Sequence, residues 1–257
     1  VYDGQSVVSY NYKDGLPNDA IRCLFEDNDN NIWLGYDFSG AVKWNNGDFE
    51  HFDSKNGLAG NQIYAINQDK DGNMLFGTDR GLCVYDDNNY KTYNYTDGLG
   101  NGSISAIEVD GKNIWIGSGS QPNAGGQVTI GGGLTVFNGK IFKSYDLSTL
   151  SGFNPWIACI NKIENDNKGN IWIGTMGGLL KYNESRFEII SQNNGLPSNI
   201  VRDILIDDNG IWVGTDGGLV NVEDERIKNI VSLENNFGEV LSLSKSKDGI
   251  YFIGTGD

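Results

Sequence analysis

The chain has 257 residues, a net charge of −15, 36 glycines and only four prolines. Nucleic acids and anionic membrane surfaces bind through a basic footprint, so the acidic balance argues against both as partners. Many glycines with few prolines point to a regular β protein with tight turns, read as a single domain over residues 1–257. Three cysteines, Cys23, Cys83 and Cys159, follow no CxxC spacing and sit in apolar strand patterns, so buried thiols are expected and neither a metal centre nor a disulfide framework. No run of 18 apolar residues is present, so no membrane insertion is expected within this chain.

In chain order, Val1-Tyr2-Asp3 aligns with the later Val84-Tyr85-Asp86, which makes Val1 to Tyr12 a pair of outer strands. A turn, Asp14-Gly15-Leu16-Pro17, leads to the first copy of a recurring block, Asn31-Ile32-Trp33-Leu34-Gly35. The block returns as Asn73-Met74-Leu75-Phe76-Gly77, Asn113-Ile114-Trp115-Ile116-Gly117, Asn170-Ile171-Trp172-Ile173-Gly174, Gly210-Ile211-Trp212-Val213-Gly214 and Tyr251-Phe252-Ile253-Gly254. The glycines are 42, 40, 57, 40 and 40 residues apart, a blade-sized period. Around each block the same order repeats: an apolar strand A such as Ile200 to Ile206, an Asp/Asn/Gly hairpin, the Trp-bearing strand B, a Gly-rich turn, then strands C and D such as Leu179 to Tyr182 and Arg186 to Ile190. No helical stripe competes with this reading. The expected fold is all-β: a β-propeller of about six four-stranded blades, its ring closed by the N-terminal and C-terminal strands in one blade. The large apolar residue of strand B should pack one blade on the next, and the glycine after it should permit close backbone approach.

The pattern running from Asn194 to Val222, with NGLPSN leading into GIWVGTDGGL, resembles the two-component regulator propeller repeat. The resemblance covers nearly the whole chain. It implies a bacterial, extracytoplasmic (periplasmic or cell-surface) sensor region that binds a carbohydrate or other small ligand, with a kinase or other fused domain outside this chain. The usual members also carry two seven-bladed propellers, a β-sandwich, a membrane span and a kinase, none of which is in this sequence. The repeat is also distantly similar to the propeller of streptogramin lyases, which rely on histidine and a metal. The one histidine here, His51, lies in a strand-D position away from the Trp strand, so that activity is not carried over.

Ligand candidates come from departures from the repeat. The turn from Ser118 to Gly133 is long and carries Gln121, Asn123 and Gln127; the following connection, Asp146 to Trp156, carries Phe153, Asn154 and an off-pattern Trp156. An aromatic beside amides suits stacking on a sugar ring. Near the start of each strand A, equivalent positions hold Arg22, Tyr64, Ser105, Asn161, Arg202 and Leu241, of which the polar ones suit a carboxylate or sugar hydroxyl. Tyr36 and Arg80 join them from the B–C turns. The Asp-rich hairpins, such as Asp27-Asn28-Asp29, lack the acidic twelfth residue of a calcium loop and read as Asx turns, so no metal or other cofactor is expected. No catalytic motif emerges. A ligand-binding sensor is therefore expected, with a protein-interaction scaffold and a propeller enzyme (polysaccharide lyase or glycosidase) as alternatives.

Overall fold

The computed structural model describes residues 6–100, 102–119, 133–153, 159–223, 226–231 and 238–256. The chain divides into two compact units, residues 1–93 and 94–257. The first holds two four-stranded antiparallel sheets: β1 (Ile21–Glu26), β2 (Ile32–Tyr36), β3 (Ala41–Asn45) and β4 (Asp48–Phe52), then β5 (Ile63–Gln68), β6 (Met74–Thr78), β7 (Gly81–Tyr85) and β8 (Tyr90–Tyr93). The second holds three such sheets: β9 (Ile104–Asp110) to β10 (Asn113–Ser118), β11 (Gly133–Phe137) and β12 (Phe142–Tyr145); β13 (Ile160–Asn165) to β14 (Ile171–Thr175), β15 (Gly178–Tyr182) and β16 (Phe187–Ile190); β17 (Val201–Asp207) to β18 (Gly210–Thr215), β19 (Gly218–Glu223) and β20 (Arg226–Val231). A two-stranded sheet, β21 (Val240–Lys245) with β22 (Tyr251–Thr255), follows. Every sheet is laid down in chain order, as the repeat requires. Of the N-terminal segment expected to complete the last sheet, residues 1–5 lie outside the described residues and Val7 makes a single bridge.

The hairpin chemistry explains why these short segments pair. In the first turn the Asp27 carboxylate accepts from the backbone N–H of Asp29 and Asn31, from the Asn31 amide, and from the Trp33 indole at 2.8 Å. Asp69 and Asp166 hold their turns the same way. These are Asx turns, with the carboxylates spent on local donors. At the other end of strand B, Thr78, Thr175 and Thr215 each donate to the carbonyl of the glycine that opens the next strand, at 2.9, 2.7 and 2.8 Å. Ser118 donates to the Gly133 carbonyl at 2.9 Å in the same manner.

Strand B residues form the core between sheets. Trp33 is 1% exposed and lies 5.5 Å from Phe76 of the following sheet. Trp115 packs with Ile160 and Ile173 of its successor, and Trp172 with Val201 and Val213 of its own. The glycine two positions later is needed for this approach: a Cβ on Gly35, Gly174 or Gly214 would stand 2.7–2.8 Å from Ile63, Val201 or Val240 of the next sheet. Phe252 departs from the expected packing, at 54% exposed.

Candidate functional site

The first strands of successive sheets lie beside one another, β1 with β5 in the first unit and β9, β13, β17 and β21 in turn in the second. Each of these strands breaks its ladder at one equivalent residue. The register slips between Ile21 and Cys23, Ile63 and Ala65, Ile104 and Ala106, Ile160 and Lys162, Val201 and Asp203, and Val240 and Ser242. The skipped residues are Arg22, Tyr64, Ser105, Asn161, Arg202 and Leu241, the variable set read from the sequence. A bulge of this kind leaves its extra residue unpaired and re-aims the side chain.

Those side chains reach along the row. In the first unit Arg22 pairs with Asp37 of its own B–C turn and lies over the Tyr64 ring, 5.3 Å from its centre. Asp19 accepts from Phe38 and Ser39 in the same turn. Tyr36 is buried there at 1% exposure, its hydroxyl without a hydrogen-bond partner among the described residues, and burial, helped by Asp19, pushes its pKa up. Arg80 is exposed and only loosely paired, 3.6 Å from Asp79. In the second unit Ser105 donates to the Ile160 carbonyl at 2.5 Å, and Asn161 to the Val201 carbonyl at 2.7 Å. Arg202 binds Asp216 at 2.5 and 3.1 Å and Glu239 at 2.8 Å. The arginines thus present charge-assisted pairs, half-exposed, at the bulged ends of the strands.

Phe153 is taken up by the core, 6% exposed among Trp115, Leu147 and Ile160. Gln121, Asn123, Gln127, Asn154 and Trp156 lie outside the described residues. His51 sits in β4 as expected, its Nε2 bonded to the Gly15 carbonyl at 2.9 Å. Among the described residues no group of three His, Cys, Asp or Glu is placed to hold a metal ion.

Sequence reading missed a charged cluster one and three residues further along the same strands. Lys162 Nζ stands 2.9 Å from Glu164 and 3.8 Å from Asp203. Burial opposes the lysine charge, but Glu164 and Asp203 outweigh it and raise its pKa. Glu108 accepts from Asn165, and burial, reinforced by Glu164, pushes it up to about 7. The signal available was charge in two columns of the repeat, Lys162 with Asp203 and Glu108 with Glu164, whose other members are apolar or neutral.

Residues 15–38, 57–80 and 195–217 match the two-component regulator propeller model. The chain carries two-component regulator propeller repeats. The repeat chain is similar in structure to the extracellular domain of the putative hybrid two component system BT3049 from B. thetaiotaomicron, with a TM-score of 0.79 and 22% identity over 99% of this chain and 34% of that one. It is similar to the extracellular domain of the putative hybrid two component system BT4673 from the same organism, with a TM-score of 0.70 and 21% identity over 92% and 30%. The virginiamycin B lyase of Staphylococcus aureus matches with a TM-score of 0.70 and 13% identity over 94% and 79%. These likenesses give the fold, a β-propeller whose blades are the sheets above. The chain spans about a third of the length of the first two structures. No curated protein matches its sequence.

Proposed function

We propose that the repeat chain is the sensor part of an extracytoplasmic two-component signalling protein, and that it binds a carbohydrate or other small ligand without turning it over. The observation that carries this reading is the row of bulges. Backbone geometry is constant from blade to blade, while the residue placed at the bulge changes from arginine to tyrosine, serine, asparagine, arginine and leucine. A fixed scaffold that displays changing polar side chains is the design of a recognition surface. The two neighbours from B. thetaiotaomicron support the setting, being extracellular domains of putative hybrid two component systems. By that analogy a kinase or other signalling domain lies outside this chain. Among the described residues no helix is long and apolar enough to cross a membrane.

A thermal-shift screen of the chain against neutral and acidic oligosaccharides, with and without Ca²⁺, tests the reading. A ligand that binds only the folded state raises the midpoint by mass action. One glycan class should do so, with no product formed after prolonged incubation. A flat response across the panel removes the carbohydrate reading, and product formation replaces the sensor with an enzyme.

A further inference from the structure

The first strands of neighbouring sheets belong to different ladders, so polar ties between them come from side chains. In the first unit the columns concerned hold Cys23 and Phe25 on β1, and Ala65 and Asn67 on β5. In the second unit the same columns form a charged row. Glu108 of β9 accepts from the backbone N–H of Asn165 at 3.4 Å and from its side-chain amide, which joins β9 to β13. Lys162 of β13 has its ammonium 2.9 Å from Glu164 and 3.8 Å from Asp203 of β17. Asp203 in turn accepts from the Leu243 N–H of β21 at 2.7 Å. The row runs beside the bulges. Asn161 and Arg202 directly precede Lys162 and Asp203, and Ser105, which bonds the Ile160 carbonyl across the first boundary, lies three residues before Glu108.

This row is short of positive charge: one ammonium serves the three carboxylates Glu108, Glu164 and Asp203. The ion-pair contacts of Lys162 go to Glu164 and Asp203, while Glu108 is held by an amide. The charged groups acting on Glu108 both come from β13, where Glu164 repels its charge and Lys162 attracts it. On its other side β10 carries no charged residue and brings Trp115 opposite Glu108. Burial and Glu164 outweigh Lys162 and the Asn165 bonds, so the carboxyl is pushed up to about 7. Burial raises Asp203 as well, and Glu164 and Asp203 keep Lys162 ionised. Glu108 is therefore the member of the row whose charge changes near neutral pH.

We propose that the row is a pH-sensitive latch between the third and fourth sheets: while Glu108 carries a proton β9 and β13 stay closed on each other, and its ionisation sets a third negative charge beside one ammonium and loosens that boundary. Opening exposes Glu108 to water, where it ionises near its ordinary value of 4.5. The open form then holds fewer protons, so its population grows as pH rises from about 4.5 to 7 and levels off above. The Ser105 bond to Ile160 spans the same boundary, so the bulge there moves with the latch. The latch needs no ligand at the bulges and stands independently of the reading above.

Hydrogen exchange followed by mass spectrometry reads the boundary directly, once rates are corrected for their intrinsic rise with pH. Between about pH 5 and 8 the corrected exchange of β9 and β13 should rise by about tenfold or more, as a carboxyl pKa that differs this much between closed and open forms requires. Strands β5 to β8 of the first unit, where the row is absent, should keep their rates. Glu108→Gln, neutral at every pH, should hold β9 and β13 at the low rate throughout. Glu164→Gln removes the repelling charge and should shrink the rise, which gives a reading even where Glu108→Gln fails to fold. Corrected rates that do not change with pH overturn the proposal, as does a rise undiminished in either variant or one shared equally by β5 to β8.

Discussion

Trp33 and Trp115 occupy the same place in their blades and differ in the indole hydrogen bond and in the ladder partner, Lys43 against Val136. Trp33→Phe removes a charge-assisted bond to Asp27 and should cost about 1.5–3 kcal/mol beyond the change in size. Trp115→Phe removes an unpartnered donor and should cost less, and urea unfolding of the two variants measures the difference. Equal losses would mean that the indole bond and the Lys43 contact together contribute nothing. The glycines divide the same way. A Cβ at Gly174 would stand 2.7 Å from Val201, so Gly174→Ala should destabilise by about 1–3 kcal/mol through overpacking. Gly102→Ala meets nothing within 4 Å and should be near neutral in the same assay. The glycine rule was legible in the sequence, because it recurs with the period. The missing partner of Trp115 was legible only as a hairpin one residue short, a signal visible once the hydrogen bonds of its neighbours show what that residue does.

At the scale of strands, the bulges decide which way the first-strand side chains point. A slip of one residue leaves no trace in composition or period, which is why the variable set was readable as a column but its geometry was not. The same strands carry Glu108, whose pKa burial and Glu164 raise to about 7 from 4.5 against the opposing charge of Lys162. A carboxyl raised on folding stabilises below its unfolded pKa and loses that contribution as pH rises through the folded one. The melting temperature should therefore fall between about pH 4.5 and 7, and Glu108→Gln should flatten that part of the profile. A variant as pH-sensitive as the parent there would assign the titration to another group. Strand B shows how far packing follows the repeat. Trp172→Ala, at 2% exposure, should cost about 3–5 kcal/mol, and Phe252→Ala, at 54%, only a small fraction of that, both read by chemical denaturation.

Over the whole molecule, the repeat fixes the blades, and the departures from it mark the places where blades differ. The four-stranded order and the Trp–Gly pairing were readable because the first recurs in five described sheets and the second in four of the six blocks. The candidate residues were partly placeable: Arg22, Tyr64, Asn161 and Arg202 lie near the starts of their first strands, where the bulges could not be foreseen, while Phe153 is buried in the core. Its burial depends on Leu147 and Ile160, which come together only in the fold. The central claim is that the bulged ends bind a ligand. Calorimetric titration of the chain and of Arg202→Ala with the oligosaccharide class that raises the midpoint tests it most directly. The account predicts saturable binding by the chain and affinity weaker by about tenfold or more in the variant, as for the loss of one charge-assisted hydrogen bond. Unchanged affinity in a variant that melts as a folded protein would contradict it.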